Sequence, residues 1–174
     1  MPHDVYGLAR LMGGKRSFVK KLQMVFDEGL YDPANEPDIA YPYLFSYFKG
    51  EEWRTQRLTR DLLRRHFSTQ PHGLPGNDDT GTMSTWALFS MMGFYPDCPG
   101  VPEYTFTAPV FDKVTIQLDP RYYQQRELVI EAENAADSTA YIRSIEVGGK
   151  KYKSFRITHD ELVNAGKVKM VLKK

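Results

Sequence analysis

The stretch Gly81-Thr82-Met83-Ser84-Thr85-Trp86-Ala87-Leu88-Phe89-Ser90-Met91-Met92-Gly93-Phe94-Tyr95-Pro96, followed shortly by Glu103-Tyr104-Thr105-Phe106-Thr107, decides how this chain is built. Its first part is an apolar segment of helical length stopped by Gly93 and Pro96, residue types that terminate a helix and prevent its continuation. From Glu103 onward the apolar period falls to two. Val114-Thr115-Ile116-Gln117-Leu118 and Leu128-Val129-Ile130-Glu131-Ala132 read as strands. Tyr141 to Val147 and Tyr152 to Phe155 flank Gly148-Gly149, a hairpin signal, and Val168 to Leu172 closes the chain. His159 to Asn164 reads as a turn or a single helical turn. The expected product is an antiparallel, sandwich-like β unit packed beside helices.

Upstream of the quoted stretch the pattern is helical. Asp4 to Met12 ends at Gly13-Gly14, and Ser17 is placed to cap a helix running to about Glu28, with Phe18, Leu22, Val25 and Phe26 on one face. Ile39 to Phe48 reads as helical once past Pro42. Glu51 to Phe67 reads as a long helix with Trp53, Leu58, Leu62 and Leu63 inside. Helix and loop alternate as in antiparallel helical hairpins. The class is therefore α+β, with residues 1–100 helical and residues 101–174 forming the β unit.

Composition narrows the function. The 174 residues are 41% hydrophobic and 13% aromatic, enough for a core and for ring surfaces that suit sugars. Lys and Arg number 23 against 22 Asp and Glu, for a net charge of +1, so there is no global field to draw nucleic acid or an anionic membrane. Cys98 is the only cysteine, which excludes an internal disulfide. No apolar run has the length of a membrane helix, and no signal peptide follows Met1. A helical pattern that starts almost at Met1 reads as a truncated chain.

Two loops carry the candidate chemistry. Gly76-Asn77-Asp78-Asp79-Thr80-Gly81 places an amide and two carboxylates directly before a helix start, where amide N–H groups favour ionised carboxylates. A carboxylate there suits a general base or a hard cation, and it equally suits plain helix capping. Asn35-Glu36-Pro37-Asp38, stiffened by Pro33 and Pro37, adds another amide and two carboxylates. Six oxygen-bearing side chains in two loops fit calcium, which takes six to eight oxygens. Zinc does not fit, because His3, His66, His72 and His159 are scattered and accompany a single cysteine. His72 lies near the second loop, in reach of a ligand. Trp53 and Trp86 sit at core helix positions, with Trp86 the better candidate for a pocket wall.

These residues resemble a known family. The run from Gly76 through Trp86, continuing by Gly93-Phe94-Tyr95-Pro96 to Cys98-Pro99-Gly100, looks like a signature of glycoside hydrolase family 92. Asn35-Glu36-Pro37 with Tyr41-Pro42-Tyr43-Leu44, and Pro2-His3-Asp4-Val5 with Gly7-Leu8 and Gly13-Gly14, are similar to its preceding segments. The resemblance implies a calcium-dependent, inverting exo-α-mannosidase with an N-terminal sandwich, an (α/α)6 barrel and trailing strands. This chain matches the last barrel helices and those strands. It implies Asp79 as general base, and Asn35, Glu36 and Asp78 near calcium. Asn77, Trp86 and His72 are candidates for contact with a mannose-containing glycan. Asn77 stands where some members have an acid, so the base role falls on Asp79. Asp38-Ile39-Ala40 stands where some members have Ser-His-His, which removes a histidine contact. The family's general-acid segment precedes the Pro-His-Asp motif and is missing here, so the chain alone is expected to be inactive. The parent is expected in the periplasm or outside the cell, and apolar barrel faces are expected to favour a homodimer. A non-catalytic carbohydrate-binding module and a structural piece are the other readings.

Overall fold

The computed structural model describes residues 3–174; Met1 and Pro2, on which the chain start and the first motif residue fall, lie outside the described residues. The chain forms two compact units. One comprises residues 1–87 and 97–101, the other residues 88–96 and 102–174, so the segment 88–96 belongs with the strands rather than with the helices before residue 100.

The helical unit begins with α1 (Val5–Leu11), capped by Asp4, whose Oδ1 accepts from Gly7 N at 2.6 Å. A Cβ at position 7 would lie 2.0 Å from Asp4 Oδ2, so a larger residue there must displace the capping carboxylate. Helix α2 (Lys15–Asp27) starts at Gly14 with no side-chain cap. Ser17 is therefore inside the helix and does not cap it, because the left-handed Gly13 and Gly14 already turn the chain into its first turn. Phe18, Val19 and Leu22 pack with Val5, Ala9, Leu44, Phe45 and Phe48.

Tyr41–Tyr47 winds as a 3-10 helix rather than an α-helix. Pro42 to Ser46 are all buried, so the segment has no solvent face for an α-helical stripe to keep. Helix α3 (Glu52–His66) packs on it and turns a partly polar face inward. Thr55, Gln56, Thr59 and Arg60 are buried there, and Ser46 Oγ donates to Thr55 Oγ1 at 3.0 Å. Trp53 is not a core residue, because it stands 38% exposed beneath the Arg54 guanidinium, 4.5 Å from the ring centroid. Helix α4 (Thr82–Met92) follows.

The second unit holds two sheets. Strands β1 (Phe94–Tyr95), β2 (Glu103–Phe106) and β7 (Arg156–Thr158) form a three-stranded antiparallel sheet. Strands β3 (Lys113–Gln117), β4 (Glu127–Glu133), β5 (Tyr141–Val147), β6 (Lys150–Tyr152) and β8 (Lys167–Lys173) form a five-stranded sheet in the order β3-β4-β8-β5-β6. The expectation of an all-antiparallel unit is corrected at its centre: β4 and β8 run parallel, with Ile130 opposite Val168 and Ala132 opposite Met170. More than thirty residues separate these strands, ample for the crossover that parallel pairing needs.

Alternation is a sound guide to burial here. Leu128, Ile130 and Ala132 of β4 and Val168, Met170 and Leu172 of β8 face one core with Phe106 and Ile157. Gly148 and Gly149 make the β5–β6 hairpin, both at positive φ as a two-residue turn requires. The short α5 (His159–Asn164) opens with a full capping box between Thr158 and Glu161.

Candidate functional site

The two acidic loops meet within the helical unit. The first follows α2 and carries Asn35 and Glu36; the second follows α3 and carries Asn77, Asp78 and Asp79. At their closest approach a Cβ on Gly76 would lie 2.6 Å from Ala34 Cβ, so only glycine fits. Close by, the carboxyl groups of Glu36 and Asp79 hydrogen-bond to one another. That bond, with the negative charge of Glu36 behind it, raises the Asp79 pKa above its ordinary value. Glu36 is lowered by accepting the same bond and one from its own backbone. The pair holds and releases its proton as a unit.

Backbone conformation aims Asp79. Asp79, Thr80 and Gly81 all have positive φ, at 45°, 64° and 92°. Glycine takes this region freely, but a β-branched threonine there costs about 1–3 kcal/mol. Bonds on both sides hold the turn: Thr82 N donates to Asp78 O at 2.6 Å, Thr82 Oγ1 to Asp79 O at 2.8 Å and Thr85 N to Gly81 O at 2.8 Å. Non-glycine residues held in strained conformations cluster at functional sites.

Asp78 has a different job. Its Oδ1 accepts from Ser84 N at 2.8 Å and its Oδ2 from Ser84 Oγ at 2.7 Å, bonds that hold its carboxyl below the ordinary pKa. Both oxygens are thus turned to the first turn of α4. Asp38 is likewise structural, accepting from Asp32 N at 3.2 Å and from the Tyr41 hydroxyl. Asn35, Asn77 and His72 are not buried. His72 rides on a turn closed by Ser68 N donating to Gly73 O at 2.9 Å.

Trp86 corrects a further expectation. It is only 2% exposed, stacked on Phe67 at 5.4 Å and edge-on to Tyr43 at 6.2 Å, so its ring faces are taken by the protein. Its indole Nε1 donates to Ile39 O at 2.9 Å. This bond ties the helix that follows the second acidic loop to the end of the first. Trp86 positions the two loops. Ala34 and Ser84 do not stand out in the sequence, because a methyl group met by a glycine and a hydroxyl on a helix carry no distinctive local pattern. The helix-start position of Ser84 and the Pro75-Gly76 pair are the signals that point to them.

Among the described residues no group of three or more His, Cys, Asp or Glu side chains gathers as a metal site. Against the donor set of a hard cation the fit is partial: Glu36 and Asp79 supply one two-carboxylate edge. No described helix is long and apolar enough to cross a membrane.

The chain matches the glycosyl hydrolase family 92 catalytic domain over residues 1–174. It superposes on a family 92 α-mannosidase from Bacteroides thetaiotaomicron with a TM-score of 0.88 at 30% identity, covering 99% of this chain and 23% of that one. The same enzyme in complex with mannoimidazole gives 0.88 at 28% identity, covering 99% of this chain and 24% of that one. A family 92 inverting mannosidase from Bacteroides thetaiotaomicron VPI-5482 gives 0.84 at 29% identity, covering 99% and 26%. A secreted glycosidase of Arthroderma benhamiae is 28% identical over 176 residues, spanning all of this chain and 22% of the relative. The chain thus spans about a quarter of the length of these relatives. From its first to its last residue, this chain belongs to glycosyl hydrolase family 92.

Proposed function

We propose that this chain forms the base side of the active site of an exo-acting α-mannosidase that hydrolyses terminal mannose from a glycan with inversion. The observation that carries the reading is the Glu36–Asp79 carboxyl pair on a strained turn, in a chain whose structural relatives are α-mannosidases. Asp79 is the general base. Its raised pKa makes it a stronger base than a solvated aspartate, matched more closely to neutral operation. It takes a proton from the water that attacks the anomeric carbon, while the bond to the leaving oxygen breaks on the opposite face.

Glu36 is not the matching general acid. An inverting enzyme keeps its two carboxyl groups roughly 6.5–9.5 Å apart to admit the water, whereas Glu36 and Asp79 share a hydrogen bond. The matching general acid is a different carboxyl group, set across the sugar from Asp79. Calcium, if resident, rests on Glu36 with the Asn35 amide oxygen, and substrate hydroxyls or water complete its shell. Bound there, it supplies positive charge beside the sugar. A parent acting outside the cytoplasm agrees with the secreted relative.

The test is hydrolysis of an aryl α-mannoside by the intact enzyme, with the product anomer followed by NMR. Asp79→Asn is expected to lower kcat about 10²–10⁴-fold, the range of a lost general base. Full activity in Asp79→Asn, or retention at the anomeric carbon, refutes the assignment. Chelator-resistant activity refutes the calcium reading alone.

A further inference from the structure

Strand β3 ends the five-stranded sheet, and among the described residues no strand pairs with its outer side. The ladder to β4 fixes which backbone groups that side presents. Leu118 N donates to Arg126 O at 2.8 Å and Ala132 N to Asp112 O at 2.9 Å. Between them the strands keep one register, from Lys113 opposite Glu131 to Gln117 opposite Glu127. Hydrogen-bonded pairs alternate along an antiparallel ladder, so Asp112, Val114, Ile116 and Leu118 turn their N–H and C=O groups to β4. Lys113, Thr115 and Gln117 turn theirs away from it, and all three residues are exposed. The edge therefore presents three donors and three acceptors in line.

This edge is complementary to itself. A second β3 laid antiparallel about a two-fold axis through Thr115 sets Thr115 opposite Thr115, Lys113 opposite Gln117 and Val114 opposite Ile116. That register uses all the outward donors and acceptors, and no other antiparallel register of the strand on itself does. Like charges do not meet across it. Lys113 already faces Glu131 on its inner side, where the carboxyl is held below its ordinary pKa by its bond to Lys167 and by the charge of Lys113. Val114 and Ile116 pack against the sheet core yet stay partly exposed, so an added strand extends that core over them. Exposed apolar residues flank the same strand: Val110 and Phe111 precede it, and Tyr122, 77% exposed, follows it. The two-fold axis carries Phe111 of one copy toward the loop that bears Tyr122 in the other. The far edge of the sheet is built against such pairing. There β6 has only three residues, Lys150–Tyr152, and the same operation sets Lys151 against Lys151. Short, lysine-bearing edges are how sheets avoid association.

We propose that the β3 edge is a docking surface for a second copy of this chain, the two β3 strands pairing antiparallel across Thr115 and joining two sheets into one. Main-chain hydrogen bonds supply the affinity and the alternating side chains set the register, as in other strand-addition contacts. The interface is two-fold and isologous, so it closes with two copies and does not propagate. It stands independently of the mannosidase reading.

Two measurements on the intact enzyme test it. In the first, sedimentation equilibrium follows wild type, Thr115→Pro and Thr115→Lys over a wide concentration range. Proline at this position removes an N–H that points away from β4, so the sheet's own ladder is kept. Lysine there sets like charges opposite each other on the axis. Wild type is expected to dimerise, and either substitution to raise the dimer Kd at least tenfold. A wild type that stays monomeric at every concentration, as when another segment of the same polypeptide covers the edge, overturns the proposal. So does a dimer that neither substitution weakens. In the second, Thr115→Cys and Lys151→Cys are treated with a short bis-maleimide. Cα atoms of a hydrogen-bonded antiparallel pair lie about 5.5 Å apart, and the native Cys98 is buried. Thr115→Cys is expected to give a covalent dimer and Lys151→Cys none. No cross-link in Thr115→Cys, or equal cross-linking in the two variants, overturns the proposal.

Discussion

The acidic loops of the helical unit and the sheets of the second unit are built on opposite terms. In the sheets, β4 and β8 alternate buried and open positions, cross-strand pairs such as Glu131–Lys167 at 2.8 Å line the surface, and side chains do what their pattern announces. In the loops two carboxylates are pushed together, a threonine sits at φ 64° and two backbones meet where one side chain must be absent. Regular packing tolerates no such conflicts without reason. The carboxyl pair on its strained turn is the part of this contrast on which the proposed chemistry rests.

The contrast is broken most severely by emptying the sheet core. Phe106 is fully buried, and Phe106→Ala is expected to cost about 3–5 kcal/mol by loss of contacts and a residual cavity. Denaturant unfolding checks this; a loss well below that range means that the core collapses around the gap. Next comes Gly76→Ala, whose new methyl must displace Ala34 and part the acidic loops. In the intact enzyme kcat/KM should fall about 10²-fold, the scale of an ångström-sized misplacement, while the thermal midpoint changes little. Equal losses of stability and activity would erase the distinction drawn between the regions.

Trp86→Phe is milder. It keeps a ring beside Phe67 but deprives the part-buried Ile39 O of its donor, a loss of about 1 kcal/mol, the net worth of a typical hydrogen bond. Activity should fall with it, since the bond ties loop to helix. Smallest is the cap of α5: Thr158→Ala should cost about 1 kcal/mol by thermal unfolding and leave activity untouched.

An acid titration sharpens the same comparison. Glu161, bonded to Thr158, has its pKa lowered from 4.5, so the folded state binds its proton less readily than the unfolded one. That contribution is complete above the unfolded pKa and is lost as pH falls through the lower folded value. Asp79 has the opposite sign: its pKa is raised from 3.8, so ionising it beside Glu36 works against folding as pH rises through the pair's range. Stability followed from neutral pH down through the carboxylate range should therefore show a shallower acid limb in Glu161→Gln and a steeper one in Asp79→Asn.

Much of this is legible in the chain. The change of period after Pro96 announces the sheets, Gly148-Gly149 announces the hairpin, and the residues around Gly76 announce the family. These are local signals, because strand alternation, turn glycines and contiguous motifs each act within a few residues of themselves. The roles of individual side chains are less so. Asp78 and Asp79 are neighbours of the same type, yet one caps α4 and the other faces Glu36, a choice made by three left-handed residues that point adjacent carboxylates in different directions. Trp86 reads as a pocket wall until Phe67, Tyr43 and Ile39 close on it. The parallel pairing of β4 with β8 depends on strands more than thirty residues apart. Sequence alone determined which segments fold and which residue types stand ready for chemistry, because propensity and periodicity are properties of neighbours. Tertiary structure decided which of those residues meet, because burial, close approach and the pairing of charges arise only between segments that the chain brings together from a distance.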